Sequence, residues 1–382
     1  MPLEQKEFVP GLAGVPAAES SVSYIDGLVG ILEYRGHRIE VLAERSDYEE
    51  VVWLLLHDAL PTQAELDGFR ARLAEYRKLP AELVDVLRSL PIDGHPMDAL
   101  QVALAAAGMF RPRFDVIHDE AARKEASLHA IAVTGPLIAT FERFRRGEEY
   151  LESDPSLTTA ENFLYQMNGV KPDAQSAKIL DVALVLHADH TMNASTFAMR
   201  VVAGTETDPY TAFSAAVGAL KGPLHGGANE RVLRQLETIG SADNVAAWLD
   251  KTLAAKGKIM GFGHRVYKTK DPRATMLEGL THELFAKQGS TPVIDTALAL
   301  EKAVVERLGE KGIHPNVDFF SGIVYSKLGI PTDAFTPIFA LARVAGYAAH
   351  WREQMANNRL YRPGQVFIGS HGAEYIPIGE RG

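Results

Sequence analysis

The stretch SDYEEVVWLLLHDALPTQAELDGFRARLAEYRKLP, residues 46–80, decides the fold class. Ser46 and Glu49 stand as a capping box before Val51-Val52-Trp53-Leu54-Leu55-Leu56, and Thr62 and Glu65 repeat the pattern before Leu66, Phe69 and Leu73. In such a box the hydroxyl and the carboxylate each satisfy an amide that the start of a helix leaves open. Pro80 then supplies the stop, because proline has no N–H to continue the ladder. The spacing predicts two successive helices.

The same grammar recurs along the chain. Thr291 as N-cap, Pro292 at the first helical position, Ile294, Leu298, Val305 and Leu308 on one face and Gly309 after the end predict another full helix. Further helices are expected at 81–90, 97–109, 124–145, 160–168, 176–188, 193–203, 211–220, 230–239, 243–255 and 334–357, and one from Phe319 onward if Asp318 is its cap. Strand signals concentrate at Ser23–Val41, where Asp26-Gly27 suits a two-residue turn and Arg35-Gly36 a second between Ile31-Leu32-Glu33-Tyr34 and Arg38-Ile39-Glu40-Val41. A second extended patch is Gln365–Ile378. Both are too small for a central sheet, so the expectation is a mainly α, two-domain multi-helix fold with small N-terminal β-hairpins. The best-marked boundaries are the Gly-rich stretch 222–227 and the turn at Gly329–Pro331, which bracket an inserted region.

Composition narrows the function. The 382 residues carry 39 Lys and Arg against 49 Asp and Glu, a net charge of -10, so the field of the whole molecule repels nucleic acid and anionic membranes. Any anion site must be local. With Cys at 0, a thiolate nucleophile, disulfides and Cys-ligated metal are excluded. The first twenty residues have no continuous apolar run, and the most apolar stretches, Ala99–Phe110 and Ile179–Leu186, fall far short of the roughly 20 apolar residues a membrane span requires. A cytoplasmic protein is the expectation.

Four stretches hold residues suited to chemistry. In His187-Ala188-Asp189-His190-Thr191-Met192-Asn193 the two imidazoles fall at i,i+3 of a helix end, a spacing that suits a metal, an anion-binding role or a plain helix cap. No HExxH motif accompanies them. Lys221-Gly222-Pro223-Leu224-His225-Gly226-Gly227 precedes a helix, as close backbone approach to a ligand would require, yet lacks the GK[ST] ending of a phosphate loop. Lys256, Lys258, Arg265, Lys268, Lys270 and Arg273 surround Gly261-Phe262-Gly263-His264, a cationic turn in an acidic chain. It suits a phosphorylated ligand as well as it suits solvent. In Asn316-Val317-Asp318-Phe319-Phe320 apolar neighbours would raise the carboxyl's pKa and strengthen it as a base. Arg343, inside the apolar run 339–346, would be costly to bury without an anion, whereas Arg362 before Pro363 is by default a surface arginine.

HADHTMNAS at 187–195, GPLHGGANE at 222–230, GFGHRVYKTKDPR at 261–273 and NVDFFSG at 316–322, in this order, resemble the citrate synthase family, and the similarity runs from Ser23 to Pro363. The chain looks most similar to the short bacterial and archaeal form. The resemblance implies condensation of acetyl-CoA with oxaloacetate and hydrolysis of citryl-CoA, with no metal and no cofactor, since acetyl-CoA is a substrate. It implies Asp318 as the base on the acetyl methyl group, His225 as donor to the thioester oxygen and His264 as donor to the ketone of oxaloacetate. Oxaloacetate's carboxylates would be held by Arg273, Arg343 and Arg362 with His190, and CoA by Lys256, Lys258, Ile259, Met260, Gly261 and Lys268. Arg362 would cross to the partner's site in a homodimer. The implied division is a large helical domain at 1–227 and 331–382 and a small, closing domain at 228–330.

Thr191 stands where many relatives carry Glu or Gly, which leaves fine substrate preference open. The alternatives are 2-methylcitrate synthase using propionyl-CoA, since one methylene is worth only about 1–3 kcal/mol of discrimination; a metal hydrolase built on His187 and His190; and a helical scaffold without chemistry.

Overall fold

The computed structural model describes residues 8–110, 115–264, 266–289 and 291–381. A three-stranded antiparallel sheet, β1 (Ser23–Asp26), β2 (Ile31–Tyr34) and β3 (His37–Arg38), opens the fold, with Ser23 opposite Tyr34 and Glu33 opposite Arg38. Helices follow in the order α1 (Ile39–Arg45), α2 (Tyr48–His57), α3 (Gln63–Tyr76), α4 (Ala81–Ser89), α5 (Pro96–Met109), α6 (Glu120–Arg145), α7 (Thr159–Asn168) and α8 (Ala174–His187). Then come α9 (Ala194–Ala203), α10 (Pro209–Lys221), α11 (Ala228–Ile239), α12 (Val245–Ala254), α13 (Pro272–Gln288), α14 (Pro292–Leu308), α15 (Val317–Lys327) and α16 (Phe335–Ala356). The mainly α expectation is met.

Local sequence explains most of these boundaries. Thr62 and Glu65 form the expected reciprocal capping box of α3, and Thr158 and Glu161 make another at α7. At α2 the cap is Asp47 rather than Ser46, its carboxylate accepting from the Glu50 amide at 2.9 Å. The aspartate sits one residue closer to the apolar run. At α14 Pro292 opens the helix as expected, but the Thr291 hydroxyl makes no cap.

The β-rich reading of the N-terminus is half right. Arg35-Gly36 forms the turn between β2 and β3, both residues having positive φ (48° and 81°), whereas the first connection is the four-residue loop 27–30 rather than an Asp26-Gly27 turn. Ile39-Glu40-Val41 is the start of α1, not a strand: Ile39, Leu42 and Ala43 are buried at i, i+3 and i+4, a helical period. The patch 365–378 forms no strand and lies exposed from end to end, with Ile368 95% and Tyr375 79% accessible. Among the described residues no neighbouring strand offers it ladder bonds.

α16 is the central element. It is buried on nearly every side from Phe335 to Trp351 and packs on α2, α6, α8, α9 and α10. Gly346 lets it pass against the α8–α9 turn, its N–H donating to the Ala188 carbonyl at 3.0 Å, where a Cβ would overlap that carbonyl and the Asp189 carboxylate. Helices α11 to α15 pack mainly on one another, with α11, α13 and α15 also reaching α1, α8 and α16. The seam between the two groups holds a cavity. Among the described residues no helix is long and apolar enough to cross a membrane.

Candidate active site

A cavity of about 370 Å³ opens at this seam, lined by His190, His225, His264, Arg273, Asp318 and Arg343 together with Thr191, Met192, Leu224, Val266, Val317 and Phe339. Six of the seven residues assigned above to catalysis and oxaloacetate therefore meet in one place although the sequence spreads them over 154 positions, 190 to 343.

His225 follows the C-terminus of α10 in the turn that Gly222, Gly226 and Gly227 allow. The Ser195 amide donates to His225 Nε2 at 3.3 Å, and an amide can only donate, so Nε2 accepts and Nδ1 carries the proton of the neutral ring. Ser195 Oγ lies 2.7 Å from the same nitrogen and 2.8 Å from Asn193 Oδ1, and it accepts from the Tyr347 hydroxyl at 2.7 Å. Burial and the Arg343 charge push the His225 pKa down to about 4.

His264 shows the opposite tautomer. Its Nδ1 accepts from the amides of Val266 and Tyr267 at 3.0 and 3.1 Å, which leaves the proton on Nε2. Burial, with the positive charge of Arg273, pushes its pKa down to about 4 as well. Both imidazoles are thus neutral hydrogen-bond donors at neutral pH. The loop that presents His264 is tied to the start of α15: Asn316 N–H donates to Gly261 O at 2.9 Å, Gly263 N–H to His314 O at 2.9 Å, and Asn316 Nδ2 to Gly263 O at 3.0 Å.

Asp318 lies in the first turn of α15, whose cap is the Asn316 side chain accepting from the Asp318 amide at 3.0 Å. The aspartate is therefore not the helix cap. Its Oδ1 is sealed from solvent and has no hydrogen-bond partner among the described residues. Burial raises its pKa to about 7, against the opposing charges of Arg273 and Arg343. A carboxyl poised there is a base at neutral pH.

The cations are arranged for an anion. Arg273, second residue of α13, is buried and forks onto Asp271 (Nε–Oδ1 3.1 Å, Nη2–Oδ2 2.7 Å). Arg343 is 1% exposed, donates through Nε to His187 O at 2.7 Å and lies 4.6 Å from the Phe339 ring centre, but its Nη2 is orphaned and no described carboxylate comes within ion-pair distance. His190 Nε2 is orphaned too, and burial holds this ring well below the ordinary histidine pKa. Orphaned buried donors around a cavity are costly unless a ligand satisfies them.

Other expected residues lie apart. Arg362 is exposed on the C-terminal tail and among the described residues donates only to Pro363 O, at 3.3 Å. Lys256, Lys258 and Lys268 are exposed, Lys270 is paired with Glu278 at 2.6 Å, and Ile259 and Met260 pack on the core. Arg265 falls outside the described residues. His187 is buried against Phe339 with Nδ1 on Ala183 O at 2.7 Å, and among the described residues no three His, Asp or Glu side chains converge as a metal would need. Ser195, whose amide sets the His225 tautomer, and Tyr347, which donates to the Ser195 hydroxyl, are not among the residues the sequence points to. Ser195 sits inside the first motif, whereas Tyr347, 152 positions away, gives no local signal.

Known proteins resemble this chain along its length. A family model described as citrate synthase, C-terminal domain, matches residues 11–364. The chain is 51% identical over 381 residues to the citrate synthase of Synechocystis sp., covering 100% of this chain and 96% of that one, and 44% identical over 386 residues to that of Acidithiobacillus ferridurans, covering 99% and 100%. It superposes on the citrate synthase of Pyrobaculum aerophilum with a TM-score of 0.91 at 40% identity, covering 98% and 95%. The TM-score is 0.93 at 34% identity, covering 98% and 100%, against the Thermoplasma acidophilum citrate synthase solved as a ternary complex with carboxymethyl coenzyme A and oxaloacetate. The likeness runs the length of the chain, which belongs to the citrate synthase family of acyltransferases.

Proposed function

We propose that Asp318, His225 and His264 carry the family's reaction here, condensing acetyl-CoA with oxaloacetate and releasing citrate and CoA. The observation that carries this assignment is the pairing of a carboxyl titrating near 7 with two neutral imidazoles of fixed and opposite tautomer around one cavity. Ionised Asp318 removes a proton from the acetyl methyl group while His225 Nδ1–H hydrogen-bonds the thioester oxygen, so the negative charge that develops meets a donor already in place. His264 Nε2–H donates to the ketone oxygen of oxaloacetate, which gains its proton as the carbon–carbon bond forms. Water then cleaves the citryl thioester to citrate and CoA.

Arg273, Arg343 and His190 bind the oxaloacetate carboxylates, and the orphaned Arg343 Nη2 and His190 Nε2 are donors that this ligand would satisfy. Residues 228–330 act as the small domain, closing on the large one to exclude water from the enolate. The Lys256–Met260 segment, leading into Gly261, and Lys268 bind CoA. The protein works as a homodimer in the cytoplasm, with Arg362 completing the partner's site; the exposed apolar side chains of the tail, among them Leu360, Ile368 and Ile378, support the second copy.

The test is release of free CoA thiol from acetyl-CoA with and without oxaloacetate, followed against no protein-thiol background because Cys is 0. Oxaloacetate-dependent release is expected, and faster release with propionyl-CoA would transfer the assignment to 2-methylcitrate synthesis.

A further inference from the structure

Away from the catalytic cavity, a second cavity of about 420 Å³ lies between the Arg35 turn, the end of α2, the first turn of α6 and the last turns of α16. It shares no lining residue with the first. Three arginines face it: Arg35, Arg123 and Arg352, with Glu120, Glu353 and Ser21. Both acids also have partners besides the three arginines. Glu120 pairs with Lys124 at 2.7 Å, and Glu353 accepts from the Ser21 amide at 2.9 Å and pairs with Arg200.

The arginines are not equivalent. Arg35 is locked, with Nη1 on Ser21 Oγ at 2.6 Å, Nε and Nη2 on Leu55 O at 3.2 and 2.9 Å, and Nε 3.6 Å from the Asp58 carboxylate, its side chain 10% exposed. Arg123 is anchored at one nitrogen, Nη1 donating to Ile117 O at 2.9 Å. Arg352 has no hydrogen bond or ion pair among the described residues, although it is half-buried. Burial lowers its pKa, Glu120 opposes that, and Arg35 and Arg123 add to it, so the three guanidinium charges feel one another. Three like charges in one concavity, one of them without a partner, are unfavourable until an anion enters.

We propose that this cavity is a binding site for an oxyanion, in which Arg352 and the free nitrogens of Arg123 grip a phosphate group or a carboxylate while Arg35 supplies fixed positive potential. Planar guanidinium forks suit both anions, and the volume admits a small phosphorylated or multiply carboxylated molecule. The same chemistry has a second source in Glu374 or Glu380 on the exposed tail of another copy of the chain.

The experiment is calorimetric titration of the full chain with inorganic pyrophosphate at low ionic strength, with oxaloacetate and CoA saturating the catalytic cavity, beside thermal midpoints in anion-poor buffer. Parent protein, Arg352→Gln, Arg123→Gln and the double variant Glu374→Gln/Glu380→Gln are compared. One pyrophosphate per chain, weakened about tenfold or more in either arginine variant, with Arg352→Gln melting no lower than the parent in the absence of anion, is the expected result. Saturable binding that emerges only in the tail variant identifies a tail carboxylate as the occupant and supports the site. No saturable binding in parent or tail variant, binding indifferent to both arginines, or, for a parent that itself binds pyrophosphate, a lower anion-free melting point for Arg352→Gln would overturn the proposal, the last by making Arg352 a structural cation.

Discussion

At the scale of single residues, protonation does most of the functional work. Burial raises the Asp318 pKa to about 7, whereas in the unfolded chain the group ionises near 4. Between those values the folded form holds a proton that the unfolded form has lost, so this carboxyl's contribution to stability falls as pH rises from about 4 to 7. Above that window the full cost of burying the charge remains. Asp318→Asn is therefore expected to raise the thermal midpoint at pH 8 relative to the parent and to show less of that gain near pH 4, while lowering kcat by about 10²–10⁴-fold. Thermal melts at the two pH values, with thiol-release rates at pH 8, check both halves. A second prediction concerns the His225 tautomer. Ser195→Ala keeps the backbone amide on Nε2 but removes the hydroxyl and breaks the link to Tyr347. The expected outcome is a fall in kcat of about tenfold, the order of one hydrogen bond's net worth, with the KM for oxaloacetate nearly unchanged. Steady-state kinetics in both substrates separates the two constants, and an effect confined to the oxaloacetate KM would refute the positioning role.

At the scale of elements, the site depends on how the His264 loop is laced to the start of α15. Gly261 has φ +82°, and a Cβ there would meet Val232 Cγ2 at 2.8 Å and Phe319 Cδ2 at 2.9 Å, whereas Gly263 has φ +80° with open space around it. Gly261→Ala is expected to cost about 1–3 kcal/mol through overlap in addition to backbone strain, and Gly263→Ala about 1 kcal/mol through strain alone. Differential scanning calorimetry of the two variants should rank them in that order. The same ranking should appear in kcat, since the loop carries both His264 and the Asn316 contacts that start α15. The elements also show how much of the molecule could be anticipated. The three side chains proposed as catalytic, His225, His264 and Asp318, fall in three contiguous motifs because each sits at a turn or a helix start, where glycine, proline and capping residues leave a local signature. α1 and α13 went unforeseen for different reasons: the first has three buried apolar residues in seven positions beside true strands, and the second has charged and small residues where an apolar stripe was sought. Tyr347 was invisible because its meaning comes from α16 crossing α9, a tertiary fact.

At the scale of the whole molecule, a tail from Asn357 onward that is exposed almost throughout is an incomplete structure in energetic terms. Leu360, Val366, Phe367, Ile368, Tyr375 and Ile378 are all more than half accessible, and among the described residues Arg362 pairs with no carboxylate. The Arg343 guanidinium, by contrast, is already at the cavity wall. If the tail lies on a second copy, each cavity takes Asp318 from one chain and Arg362 from the other. Mixing two inactive variants tests that arrangement directly. A protomer bearing Arg362→Gln keeps its own Asp318, and one bearing Asp318→Asn keeps its own Arg362. In a mixed dimer, one of the two cavities then unites both intact residues and the other holds both lesions. Random reassociation makes about half the dimers mixed, so about a quarter of parental turnover should return when the variants are unfolded and refolded together, and almost none when they are refolded apart. If Arg362 acted within its own chain, every cavity in the mixture would lack one residue, and the mixture would stay as inactive as its components.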